Sequence, residues 1–131
     1  YKDILKNSIK SSARTNNDAI AISVADTALD LDIKAIVCFT QSGNSAKRLA
    51  KFRPEAPIIA VCFDEVTQRS LLPTFGVFPY VSEIQNSPEN DVNLAKTIAQ
   101  SYGFNKGDQI VVVAGYPVGS GSTNMMRIVE I

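Results

Sequence analysis

The chain has 131 residues, of which 45% are hydrophobic and 20% charged, as expected for one globular domain with a normal core. Its 13 basic residues balance 13 acidic ones, so the formal charge is zero and no basic surface for nucleic acid is expected. The chain has no histidine, which excludes Ser-His-Asp and Cys-His catalytic arrangements and most zinc sites.

The two cysteines and the apolar runs indicate a cytoplasmic location. No apolar run approaches the ~18 residues of a membrane-spanning helix, and we recognise no signal peptide. Cys38 and Cys62 lie inside apolar, strand-like runs, so we interpret them as reduced core residues; a redox pair is the alternative. Because the chain begins at Tyr1 within a helical pattern, we expect it to be a piece of a longer protein.

Helical and strand-like patterns alternate along the chain. The predicted helices are 3–13, 17–31, 45–52, 64–72 and 88–102, and the predicted strands are 34–39, 56–63, 76–81, 109–115 and 125–131. Pro54, Pro73 and Gly103 end helices, and Pro79 places the third strand at an edge of the sheet.

Strands that alternate with helices predict a parallel α/β sheet with right-handed crossovers. No helix joins the last two strands, so the fifth strand should return antiparallel at an edge. We therefore expect one three-layer α/β domain with helices on both faces. Its sheet should have five strands in the order 3-2-1-4-5, four of them parallel and the last antiparallel.

The turn Thr40–Ser45 follows the first strand and opens a helix. Its residues are small, and Thr40, Ser42 and Ser45 carry hydroxyls. A helix N-terminus presents unpaired N–H groups and a partial positive charge, which together favour a phosphate or similar anion. Gly43 would let the backbone approach such a ligand. The alternative is that Ser42 is an ordinary N-cap and Gly43 a turn residue, and this stretch alone favours that alternative.

A second small-residue loop, 115–124, follows the fourth strand. It contains Gly115, Gly119 and Gly121, with hydroxyls at Ser120, Ser122 and Thr123. In an open α/β sheet, ligands bind at the carboxyl ends of the strands, where the strand order reverses. With the order 3-2-1-4-5, both loops should therefore meet above one crevice. The alternative is a flexible hairpin between two strands, and ten residues is long for a plain hairpin. The loop matches neither a Walker loop nor a dinucleotide fingerprint.

Together these residues resemble the C-terminal domain of pyruvate kinase. The resemblance rests on KAIVCFTQSGNSAKRLAKFRPEAPIIAVCF (34–63), on KGDQIVVVAGYPVGSGSTNMMRIVEI (106–131) and on their spacing, and it covers residues 16–131. It implies that the whole chain, 1–131, is one domain of a glycolytic enzyme that transfers phosphate from phosphoenolpyruvate to ADP. The catalytic site, with Mg²⁺ and K⁺, would then lie in a separate barrel domain, and this chain alone would be inactive, with no cofactor of its own.

The resemblance also implies an allosteric role. Domains of this kind bind an activating sugar phosphate, commonly fructose bisphosphate, and contribute to the subunit contacts of a cytoplasmic homotetramer. The residues that match the phosphate loop are Thr40, Gln41, Ser42, Gly43, Asn44 and Ser45, and those that match the effector loop are 115–123, including Gly119, Ser120, Gly121 and Ser122.

Three positions depart from the family pattern. Gln41 and Asn44 stand where the phosphate loop often carries a basic residue, and Asp91 stands where members that hold a second phosphate tend to have one. We therefore expect one phosphate or sulfate at Thr40–Ser45 and weak or no binding of fructose bisphosphate. A monophosphate such as glucose 6-phosphate or a nucleotide would be the effector; the alternative is a vestigial site that no longer binds one.

Two other functions stay open from the sequence. One is a free-standing protein of the same fold that binds or processes a phosphorylated metabolite. The other is a purely structural oligomerisation domain, because the closing strand 125–131 would be an exposed edge in a monomer. Pairing of that strand with a twofold-related copy would cover it.

Overall fold

The computed structural model of the protein describes residues 16–83, 88–114 and 125–131, so the predicted helix 3–13 and the loop 115–124 lie outside the described residues. The described helices are α1 (Asn16–Asp30), α2 (Asn44–Lys51), α3 (Glu65–Leu71) and α4 (Pro88–Ser101), and the strands are β1 (Ile33–Phe39), β2 (Ile58–Cys62), β3 (Val77–Val81), β4 (Gln109–Ala114) and β5 (Met125–Glu130). Each lies within two residues of its predicted bounds.

The strands form one five-stranded sheet of order β3-β2-β1-β4-β5. Strands β1 to β4 are parallel, and β5 pairs antiparallel with β4. The predicted strand order and the predicted antiparallel return are therefore confirmed. Strand β1 lies at the centre of the sheet and is hydrogen-bonded to a neighbour along each edge.

Side chains of β1 contribute to a hydrophobic core on each face of the sheet. Ile36 and Cys38 pack in one core with residues of α1, α2 and α3, whereas Val37 packs in the other with residues of α4. This arrangement follows from right-handed crossovers. The chain steps one way from β1 to β3, then returns past β1 to reach β4, so α4 covers the opposite face.

The two edges of the sheet differ. At the β3 edge, the Gly76 carbonyl accepts from the N–H of Ile58, and the Ser82 N–H donates to the Cys62 carbonyl. Because alternate residues of a strand hydrogen-bond to the same side, Pro79 belongs to the set that points away from β2. The missing proline N–H therefore falls on the outer edge, as expected for an edge strand. Strand β5 carries no proline.

None of the described helices is both long and apolar enough to cross a membrane. The core contains both cysteines, and both thiols are free and buried. Burial raises the pKa of Cys38 to about 12 and also raises the pKa of Cys62, where the nearby Asp64 carboxylate adds to the effect. Both positions are confirmed as core residues.

We predict that neither cysteine reacts readily in the native protein. At pH 8 the buried thiols stay protonated, and only the thiolate is nucleophilic. Iodoacetamide followed by mass spectrometry should show no rapid labelling in buffer and two labelled sites in guanidinium chloride. Thr97→Cys, at an exposed position of α4, is the positive control. Fast native labelling of Cys38 would contradict the described burial.

Candidate functional site

The turn Thr40–Ser45 that follows β1, called the corner below, lies at the carboxyl edge of the sheet, where the strand order reverses. From β1 the chain crosses to β2 on one side, while β4 pairs with β1 on the other. The N–H of Thr40 donates to the Val61 carbonyl at 2.9 Å, which extends the pairing of β1 with β2 by one residue. Thr40 is only 4% exposed, so the corner is attached directly to the core.

The corner begins α2 without a side-chain cap. Gly43 occupies the N-cap position with φ +89°, and no side chain caps the helix there. The Thr40 hydroxyl oxygen instead accepts the N–H of Gly43 at 2.9 Å. The Ser42 hydroxyl accepts only a long bond of 3.3 Å from the Asn44 N–H. The N-cap position therefore belongs to Gly43 and not to Ser42, whose hydroxyl bonds the first N–H of α2.

This geometry leaves backbone donors available at the corner. Among the described residues, the N–H groups of Gln41 and Ser42 have no hydrogen-bond acceptor. Both residues and Asn44 are exposed, while Ser45 is half-buried. Together with the partial positive charge of the helix start, exposed donors of this kind are what an anion requires.

Helix α3 supports the corner from the side, which the sequence did not predict. The buried Thr67 hydroxyl donates to the Gln41 carbonyl at 3.0 Å. A Cβ placed on Gly43 would lie 3.3 Å from the Cδ2 atom of buried Leu71. Thr67 and Leu71 are four residues apart and so share one face of α3. That spacing was the only sequence signal for this contact.

The charged residues on the helices that follow β1, β2 and β3 differ in burial and in pairing. Lys47 on α2 is exposed and forms no ion pair with any described residue, and Arg48 is half-buried. Asp64 caps α3, and the hydrogen bond from the Thr67 N–H at 2.7 Å holds its pKa below the usual range. Asp91, in the first turn of α4, is 3% exposed. The carboxylate that we expected to repel a second phosphate is therefore buried.

The second predicted loop starts beside the corner. Cys38 of β1 is in register with Val113 of β4, so Ala114 ends β4 next to the end of β1. Residues Gly119, Ser120, Gly121 and Ser122 lie outside the described residues. Their approach to Thr40–Ser45 stays a prediction. In the described part of the chain, no group of three or more Cys, Asp or Glu side chains could hold a metal ion.

Residues 18–129 match the family model described as "Pyruvate kinase, alpha/beta domain". The chain belongs to this family. The pyruvate kinase of Lactococcus lactis subsp. lactis (strain IL1403) is 43% identical over 115 residues, which is 87% of this chain and 23% of that protein. The pyruvate kinase of Geobacillus stearothermophilus is 43% identical over 130 residues, or 98% of this chain and 22% of that protein. That of Staphylococcus aureus (strain USA300) is 42% identical over the same length. This member of the pyruvate kinase alpha/beta family thus spans less than a quarter of the relatives it matches.

We predict that Gly43→Ala destabilises the domain more than Gly107→Ala does. Both glycines have left-handed φ values, +89° and +99°, so alanine costs about 1–2 kcal/mol of unfolding free energy at either site. A Cβ at Gly107 meets nothing within 4 Å, whereas at Gly43 it presses on Leu71. Urea unfolding should therefore give a total loss of about 2–4 kcal/mol for Gly43→Ala. Equal losses in the two variants would mean that Leu71 moves aside.

Proposed function

We propose that this chain is the effector-binding and assembly domain of a pyruvate kinase, and that its corner Thr40–Ser45 binds one phosphate group. The observation that carries the proposal is the pair of backbone N–H groups just before α2. Those of the exposed residues Gln41 and Ser42 have no acceptor among the described residues, and they lie at the switch point of the sheet, on a turn anchored to the core by Thr40. The parent enzyme would transfer phosphate from phosphoenolpyruvate to ADP.

The corner offers donors of three kinds to a phosphate. The exposed residues Gln41 and Ser42 have backbone N–H groups without an acceptor among the described residues, Ser42 and Ser45 carry hydroxyls, and α2 adds its partial positive charge. Each hydrogen bond to a charged oxygen contributes about 1.5–3 kcal/mol. Four or five such bonds would therefore give useful affinity without a basic residue at Gln41 or Asn44.

The same residues favour a monophosphate over fructose bisphosphate. A second phosphate needs its own cation, and Asp91 occupies the position where that cation is expected. Because Asp91 is buried, it offers a second phosphate neither a donor nor an exposed charge. Glucose 6-phosphate or a nucleotide fits the corner better, and Gly119 to Ser122 would close over it from β4.

The chain covers less than a quarter of the length of the pyruvate kinases that it matches, so we expect the rest of such an enzyme to be its main partner. The rest of the pyruvate kinase chain would be its covalent partner and would carry Mg²⁺, K⁺ and the catalytic site, in the cytoplasm. We therefore expect no phosphoryl transfer by the 131 residues alone. The matching pyruvate kinases extend far beyond this chain, which favours this proposal over a free-standing phosphate-binding protein.

Strand β5 would supply a subunit contact. Among the described strands it pairs with β4 alone, along one edge, and Ile128 is 42% exposed. Ile131 donates to the Asp108 carbonyl and accepts from the Gly107 N–H, so alternate residues from Ile131 face β4. The N–H of Ile128 therefore points outward. Pairing with a twofold-related β5 would satisfy it and form part of a homotetramer.

We predict that inorganic phosphate and glucose 6-phosphate bind this chain at Thr40–Ser45, and that Ser45→Ala weakens binding roughly tenfold through loss of one charge-assisted hydrogen bond. Isothermal titration calorimetry measures the affinity. Ser101→Ala is the matched control, since its hydroxyl donates to Ile98 on α4.

Fructose bisphosphate should bind no more tightly than glucose 6-phosphate in the same titrations. Micromolar binding of the bisphosphate, abolished by Ser45→Ala, would contradict the assignment of a single phosphate. An absence of binding by every phosphate, with self-association retained, would leave a structural oligomerisation domain.

We also predict that Ile128→Pro prevents self-association of the isolated chain. Proline removes the outward N–H but no bond to β4, whereas Ile128→Thr keeps the donor and should still pair. Light scattering should give the 14.2 kDa monomer for the proline variant and twice that mass for the threonine variant. A wild-type chain that stays at 14.2 kDa at high concentration would refute the contact through β5.

A further inference from the structure

We infer that Thr67 is a positioning residue for phosphate binding: it fixes the peptide group between Gln41 and Ser42 so that the Ser42 N–H points outward. This inference rests on the proposed function, because it assigns a role within the phosphate site. It adds a residue from α3, a helix outside the turn that matches the phosphate loop.

The hydroxyl of Thr67 holds one specific backbone group. It donates to the Gln41 carbonyl at 3.0 Å across 26 positions of sequence, and Thr67 is 7% exposed. A hydroxyl this deeply buried has little access to water as an alternative partner, and leaving it without any hydrogen bond would cost folding free energy. The bond therefore persists in the folded domain.

A trans peptide group transmits this constraint to Ser42. The carbonyl of Gln41 and the N–H of Ser42 belong to one planar unit and point in opposite directions. With the carbonyl drawn towards α3, the N–H faces away from α3, to the exposed side of the corner. That N–H has no acceptor among the described residues. Thr67 thus orients a donor that it does not itself touch.

Thr67 is held in place by α3. Its N–H donates to the Asp64 carboxylate at 2.7 Å, and its carbonyl accepts from the Ser70 hydroxyl at 2.8 Å. Leu71, one turn later, lies under Gly43. These contacts make the helix a rigid support, and a site preorganised in this way loses little entropy on binding.

The test compares Thr67→Val and Thr67→Ser with Thr97→Val. Valine has the shape of threonine without the hydroxyl, while serine keeps the donor. Thr97 provides the matched control, because its hydroxyl also donates to a backbone carbonyl, that of Asn93 on α4. Phosphate affinity is measured by titration of ¹⁵N-labelled chain with inorganic phosphate, following the Ser42 amide signal.

We expect Thr67→Val to weaken phosphate binding roughly tenfold, the loss of one aligned charge-assisted bond, and to shift the Ser42 amide signal before phosphate is added. Thr67→Ser and Thr97→Val should bind within about threefold of wild type. If Thr67→Val does not fold because the added methyl group is too large for the site, Thr67→Ala removes the same donor with a smaller side chain.

The outcomes separate the two proposals. Wild-type affinity in Thr67→Val, with phosphate binding present, would overturn the role of Thr67 and leave the proposed function intact. If the amide signals of residues 40–45 in the wild-type chain do not shift when phosphate is added, the phosphate site is refuted, and the role of Thr67 with it. A similar loss of affinity in Thr97→Val would show that general destabilisation, rather than the Gln41 bond, is responsible.

Discussion

The burial of β1 from Ala35 to Phe39 constrains the whole domain. Cores cover both faces of this part of the strand, and β2 and β4 occupy both of its edges, so the backbone polar groups from Ile36 to Phe39 are committed to the sheet. At the carboxyl end of β1, Thr40 continues the hydrogen bonding with β2 for one more residue before the chain leaves the sheet. The corner that follows therefore begins from a fixed position.

Because Thr40 is held in the sheet, the corner can keep its shape although the N–H groups of Gln41 and Ser42 have no acceptor among the described residues. The first N–H groups of a helix need partners from outside its hydrogen-bond ladder, but here the Thr40 hydroxyl is occupied by Gly43, and the side-chain bond described at the first N–H of α2 is the long one from Asn44 to the Ser42 hydroxyl. Such a corner would unravel more easily if it were not attached to the core at Thr40 and to α3 at Gln41 and Gly43. Stability supplied by the surroundings is what permits N–H groups without acceptors at this corner.

Much of this could be predicted from the sequence, because the deciding signals are local. The apolar run of β1 requires cover on both faces, and the missing helix before β5 requires an antiparallel return. The support from Thr67 could not be predicted in this way, since its partner is a backbone carbonyl and every residue has one. Nor does a lone aspartate reveal its own burial, which is why Asp91 was assigned a direct electrostatic role. Ser42 and Gly43 are both suitable N-cap residues by type. Gly43 takes the position in the structure, where its N–H is bonded to the Thr40 hydroxyl, a contact that residue type alone does not predict.

The proline in β3 has a consequence for how far a sheet of this kind can grow. If two copies join through β5, the combined sheet ends in a β3 strand at each side, and Pro79 removes a donor from both outer edges. No third copy could then add by strand pairing at the same strength. Because one edge of the sheet can pair and the other is blocked by proline, growth by strand pairing would stop at two copies and would not continue into a fibre.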